Sequence, residues 1–317
     1  MFFGGMAFSS SSKEDSCWKA FPRAYFFRPA EILFGTTSSP LQQQNSPNLI
    51  ARKDSPSLPE WEGLVNLAIQ AIEREELEKV VLGRKTTLTF DAKINPFAIL
   101  RQLNSRTVFA LQLDPSTTFL GATPETLYRR KGRELFTHAV AGTRPRGKDR
   151  EEDLFLKAEL LSCKKERLEF DIVRREIFKC LNPLSQTFTQ SEIEVLQTSH
   201  LQHLSMNFTS TLKPGISDAK ILATLHPTPA TGGLPKDAAL AFLGQHEPFD
   251  RGWYAGPIGW ISDIETELAV GIRSALIIEN EMHLFAGTGI VRGSHFEKEW
   301  NELEHKITPF LRDWRAQ

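Results

Sequence analysis

A chain of 317 residues with thirty-eight Lys and Arg against thirty-nine Asp and Glu carries a formal charge of −1. That balance writes neither a basic nucleic-acid surface nor an acidic tail into the sequence, and it leaves a small polar substrate as open as a macromolecular partner. Cys17, Cys163 and Cys180 are odd in number and lack CxxC spacing, which argues against a disulfide framework or a thiolate zinc site and points to the reducing cytoplasm. The apolar start lacks a basic n-region and a long h-region, so it is not read as a signal peptide. No run reaches the roughly 18 apolar residues of a membrane span.

In chain order, residues 36–59, "TTSSPLQQQNSPNLIARKDSPSLP", form a low-complexity stretch, read as an exposed loop inside a single domain spanning 1–317. After Pro59, Trp61, Leu64, Val65, Ala68, Ala71 and Ile72 recur at helical spacing and predict a helix over 60–77. "KVVLGRKTTLTF" is β-branched and alternating, which places Lys79 at the start of a strand. Residues 107–132 read as two strands around an Asp-Pro-Ser turn. A long helix is expected over 151–180, with Leu154, Leu161, Leu168, Ile172, Val173 and Ile177 as its inner stripe. "GWYAGPIGWISD", "TELAVGIRSALII" and "MHLFAGTGIV" read as three strands, and Ser294 with Glu297 resembles a capping box opening a final helix. Neither an internal repeat nor regular strand-helix alternation is present. A mixed α+β architecture therefore fits better than a doubly wound sheet.

Two acidic helical faces could carry chemistry. Glu299, Glu302 and Lys306 share one face of the last predicted helix, and Glu166 and Glu169 do so on the long middle one. A solvated charged face is the ordinary explanation for either. If the two met in a cleft, they would offer oxygen-only ligands of the kind Mg²⁺ takes. Lys79 and Glu125 are weak signals singly, although a buried lysine can act as a base and a buried carboxylic acid as an acid. "VAGTRPRG" and "FAGTGIV" could present backbone N–H groups to an anion, and glycine turns within a sheet explain them equally well. His138, His200 and His203 read as structural.

Taken together and in order, "KVVLGRK", "FLGATPETLYRR", "AVAGTRPRG", "LLSCKKERLEFDIV", "LHPTPATGGLPKDAAL", "FDRGWYAGPIGW", "GIRSALI", "FAGTGIVRGS" and "EWNELEHK" resemble the chorismate-utilising enzymes over roughly residues 60–312. The resemblance is nearest to isochorismate synthases of the menaquinone type. It implies an antiparallel-rich, two-sheet fold with helices packed outside. Its N-terminal part would be reduced, since only 78 residues precede Lys79. It implies Mg²⁺ held by Glu169 and Glu302, with Glu166 and Glu299 holding metal-bound waters. Lys79 would activate water, Glu125 would protonate the departing C4 hydroxyl, and His226 would help place that hydroxyl or Glu125. Gly142, Thr143, Tyr254, Arg273, Gly287 and Lys306 would bind chorismate. No glutaminase subunit, nucleic acid or membrane partner is implied. A salicylate synthase, which goes on to eliminate pyruvate, and a truncated non-catalytic relative are the alternatives; an ammonia-using synthase matches less well.

Overall fold

The computed structural model describes residues 1–9, 17–33, 47–198 and 200–311. The chain opens with β1 (Phe2–Met6), β2 (Ala24–Phe27), β3 (Leu49–Ser55), helix α1 (Leu58–Glu73) and the long strand β4 (Lys79–Phe90). Helix α2 (Pro96–Gln102) leads into β5 (Thr107–Asp114), β6 (Thr117–Thr123), β7 (Thr126–Lys131) and β8 (Glu134–Pro145). Helices α3 (Arg150–Ser162) and α4 (Lys164–Leu181) precede β9 (Ser185–Gln190), β10 (Glu194–Gln197) and β11 (Leu201–Leu212). Then come α5 (Asp218–Leu225), β12 (Gly233–Leu234), α6 (Lys236–His246) and β13 (Pro257–Ile261). β14 (Glu265–Val270), β15 (Ser274–Ile278), β16 (Glu281–Ile290) and α7 (Phe296–Ile307) complete the described strands and α-helices.

These strands form two antiparallel sheets, as expected for an α+β fold. One has nine strands in the order β10-β11-β8-β7-β14-β13-β1-β2, with β9 also on β11; the other has seven, β12-β4-β16-β15-β6-β5, with β3 also on β4. Burial of apolar side chains gives each sheet its own core. Trp61, Leu82, Phe119, Leu284 and Leu303 lie in the core of the seven-stranded sheet, and Tyr128, Phe170, Val173, Leu204 and Leu268 in the other. Among the described residues, no helix is long and apolar enough to cross a membrane.

At two neighbouring places the chain passes between the sheets within two or three residues: from β6 to β7 through Pro124 and Glu125, and from β14 to β15 through Gly271, Ile272 and Arg273. Backbone bonds stitch the crossings together, Val270 N–H to the Glu125 carbonyl at 3.0 Å and Ala122 N–H to the Arg273 carbonyl at 3.0 Å. Arg273 is left-handed there, with φ 51°. A non-glycine residue holds that conformation only where its surroundings enforce it.

Several expectations need correction. The stretch 36–59 is not a loop throughout: residues 47–59 include β3 and the start of α1, while 36–46 lie outside the described residues. The long helix is two, broken at Cys163, whose extended backbone resets the helical phase. Leu154 and Leu168, expected inside, are consequently exposed. "TELAVGIRSALII" is two strands belonging to different sheets, because the crossing at Arg273 interrupts it. The capping box lies at the other end of the chain, where the Glu60 carboxylate accepts from the Ser57 amide at 2.8 Å and from the Ser57 hydroxyl at 2.7 Å. Ser294 instead turns back on Val291, and α7 begins after His295.

One buried ion pair ties the seven-stranded sheet to its surroundings. Arg251 donates to Glu247 at 2.7 Å, to the Thr231 carbonyl at 2.8 Å and to the Val81 carbonyl at 2.6 Å, and lies 4.3 Å from the centre of the Phe8 ring. Glu247 also accepts from the Gly83 amide at 2.7 Å. Removing one partner strands a buried charge, so Arg251→Met is expected to cost about 3–5 kcal/mol in urea unfolding, and the double variant Arg251→Met/Glu247→Leu to recover most of it. A single variant as stable as the wild type would contradict this.

Candidate active site

The two crossings open into a cavity between the sheets, about 70 Å³ in volume, lined by Glu125, Gly142, Thr143, Glu169, His203, Tyr254, Arg273, Gly287 and Lys306 among others. A larger neighbouring cavity, about 360 Å³, shares Thr143 and is lined by Glu159, Lys165, Glu166, Glu299 and Glu302. The two acidic helical faces do meet: α4 brings Glu166 and Glu169, and α7 brings Glu299 and Glu302.

Each carboxylate of this quartet has a cation in contact. Glu169 Oε1 accepts from Lys79 Nζ at 3.0 Å, and Glu166 Oε1 from Arg144 at 2.8 Å. Glu302 pairs with Lys306, which also donates to the Gly287 carbonyl at 2.7 Å. Lys165 Nζ lies 3.0 Å from Glu299 Oε1. The Thr143 amide donates to Glu166 at 2.8 Å. Burial opposes ionisation of Glu302, but Lys306 and Lys165 win and hold its carboxyl down at about 2.

Close approach fixes two glycines. Gly142 has φ +72°, and a Cβ there would sit 3.2 Å from Glu166 Cβ. A Cβ on Gly289 would fall 2.2 Å from Glu169 Oε1 and 2.8 Å from Lys79 Cε, inside the ion pair itself.

Glu125 is different from the quartet. It is buried, has no ion pair among the described contacts, and loss of solvation pushes its carboxyl up to about 7 against the pull of Lys79 and Lys306. Arg273 loses solvation too, which brings its guanidinium down to about 10. Tyr254 is buried with its ring stacked on Phe285, 5.3 Å between centroids.

Not every expected residue lies on the cavity wall. Lys79 is fully buried behind Glu169. His226 is not among the lining residues: its Nε2 is 3.1 Å from the Phe8 carbonyl and its ring meets Phe8 edge-on. From the same loop, Ala230 and Thr231 reach the cavity instead. His203, expected to be structural, is a wall residue. Its Nδ1 faces the Gly142 carbonyl and the Thr143 hydroxyl, each at 3.2 Å, and its Nε2 faces Arg273 Nη2 at 3.4 Å. A neutral ring protonated on Nδ1 satisfies both sides, donating to Gly142 and accepting from Arg273. Its place near the start of a β-branched-poor strand gave no local signal; only the pairing of β11 with β8 brings it to Gly142.

An antiparallel two-sheet enzyme fold with a charged cleft at its sheet crossings is the class that these features define. The family described as "Chorismate binding enzyme" matches residues 32–314, and the chain belongs to it. It is 38% identical over 272 residues to isochorismate synthase 2, chloroplastic, of Arabidopsis thaliana, covering 83% of this chain and 48% of that protein. It is 38% identical over 250 residues to isochorismate synthase MenF of Escherichia coli (strain K12), covering 78% and 58%. A solved structure of MenF, the menaquinone-specific isochorismate synthase from Escherichia coli, superposes with a TM-score of 0.78 at 34% identity, covering 87% of this chain and 65% of that one. The chain thus spans about half the length of the plant relative and under two thirds of the bacterial one.

Desolvation and nearby arginines push His138 and His203 down to about 3. Both folded values lie below the unfolded value near 6.5, so below that pH the unfolded chain binds the extra protons and stability rises with pH between about 3 and 6.5, by up to about 1.4 kcal/mol per pH unit for each. Imidazole NMR is expected to find both rings neutral at pH 5. A midpoint near 6.5 for either would count against this environment.

Proposed function

We propose that the chain is an isochorismate synthase, converting chorismate to isochorismate by attack of water at C2 with loss of the C4 hydroxyl. The observation that carries this reading is the buried Glu125, an acid held near neutrality within electrostatic reach of Lys79. The relatives named above support the same reaction.

In this mechanism Lys79, once it has left its ion pair with Glu169 and given up the ammonium proton, takes a proton from water as the water oxygen bonds to C2. Both ring double bonds shift by one position, and the C4 oxygen leaves as water with the proton of Glu125. One water enters and one leaves, so no redox cofactor and no ammonia-delivering subunit is required. Arg273 and Lys306, with the backbone of Gly287 and of residues 141–143, would hold the pyruvyl carboxylate, and Tyr254 would close that side. His203 would set the orientation of Arg273.

Glu169 and Glu302 would hold Mg²⁺, with Glu166 and Glu299 around its waters. Their oxygen-only donor set, contributed by two helices, fits a hard cation. Among the described residues no three acidic or imidazole groups converge as a preformed cage, and lysines and an arginine contact the four carboxylates. When bound, the metal would neutralise the ring carboxylate. All three cysteines are free thiols, which supports a reducing compartment such as the cytoplasm.

Incubation with chorismate and Mg²⁺ is expected to yield isochorismate by chromatography, with the product lost in Lys79→Ala. Salicylate with pyruvate would move the assignment to a salicylate synthase, and no turnover would overturn the reading. Because the carboxyl of Glu125 is raised to about 7, its protonated form prevails below that pH and is lost above it. The ratio kcat/KM should therefore fall as pH rises through about 7. Glu125→Gln is expected to cost roughly 10²–10⁴-fold in kcat.

A further inference from the structure

Lys165 is the second residue of α4, where the helix dipole disfavours a cation. Its ammonium nevertheless lies 3.0 Å from Glu299 Oε1, 3.6 Å from Glu166 Oε1 and 3.9 Å from Glu169 Oε2. It touches three of the four carboxylates and joins the two helices that carry them. Two of the neighbouring cations have further anchors: Lys306 holds the Gly287 carbonyl, and Arg144 holds the Thr143 carbonyl at 2.8 Å. The described contacts of Lys165 are to carboxylates alone.

We propose that Lys165 is a built-in counter-ion of the acidic quartet, and that Mg²⁺ binds by displacing its ammonium into the adjoining cavity. Carboxylates this close repel strongly in a cleft of low dielectric unless a cation lies between them. An ammonium and a divalent ion compete for the same oxygens. The lysine stem is flexible, and the cavity of about 360 Å³ that it borders also contains Glu159, another acceptor for the displaced charge. Magnesium affinity is thus set partly by the contacts that Lys165 must give up.

The inference rests on reading the quartet as a magnesium site, and its test uses no chorismate. Calorimetric titration of the full chain with Mg²⁺ at fixed ionic strength is expected to give a Kd at least about ten-fold lower in Lys165→Met than in the wild type. The melting temperature of that variant should fall in chelator and recover in saturating Mg²⁺. An equal or higher Kd in Lys165→Met overturns the proposal. If the variant folds only with Mg²⁺, the counter-ion role is supported directly, and Lys165→Arg, which keeps the charge, supplies the affinity comparison. Lys165→Arg should bind Mg²⁺ no more tightly than the wild type, and tighter binding overturns the proposal. Absence of Mg²⁺ binding by the wild type would remove the metal site together with the inference, whereas absence of chorismate turnover leaves the inference standing.

Discussion

Four glutamates from α4 and α7 approach one another between two sheets, and each is tolerable there because a cation is in contact with it. An unpaired carboxylate in such a cleft would lose its hydration without replacement, at a cost far above what a single side chain gains from packing. The pairing also has a geometric consequence. Lys79 comes from β4 of the seven-stranded sheet, while Glu169 comes from a helix packed against the nine-stranded one. The ion pair between them, 3.0 Å long, spans the two halves of the fold. Charge neutrality and the relative placement of the halves are therefore one requirement.

The crossings satisfy a second requirement, that Glu125 and Arg273 lie beside this cluster without joining its ion pairs. Glu125 and Arg273 each occupy a residue where the chain leaves one sheet for the other, so neither is held in a regular ladder on both sides. Reciprocal backbone bonds, Val270 to Glu125 and Ala122 to Arg273, replace the missing ladder. The left-handed backbone of Arg273 is the local cost of aiming its guanidinium at His203 and the cavity. Loops would supply the same side chains with less precision, since these two positions are fixed by strands on either side.

Local pattern in the sequence reached the elements whose periodicity is undisturbed. The apolar spacing of α1 and the β-branched run of β4 survive into the structure, and so do the charged faces of α4 and α7. It failed where a short backbone event overrides a long pattern. The single extended residue Cys163 splits a helix that composition reads as continuous, and the turn at Arg273 splits a run that reads as one strand. The site was legible mainly through ordered motifs, since no local rule says that Lys165 and Glu302, carried by two helices far apart in the chain, border the same cavity. His203 and His226 show the limit: the histidine in the conspicuous proline-rich loop packs on Phe8, while the plain one in a long strand meets Arg273.

Glu125 and the four glutamates of the quartet divide by contact rather than by sequence. Glu166, Glu169, Glu299 and Glu302 each touch a lysine or arginine, and that contact holds Glu302 at about 2 despite burial. Glu125 has burial without the contact, and the same loss of solvation carries it up to about 7. Contact with a cation is not the only variable, since burial still raises the Glu299 carboxyl with the Lys165 ammonium 3.0 Å away. The paired set suits a cation site, and the unpaired residue suits a group that gives up a proton near neutral pH. A lysine brought against Glu125 would abolish the distinction, which is why the engagement of Lys79 by the carboxylate of Glu169 matters as much as the presence of Lys79 or Glu125.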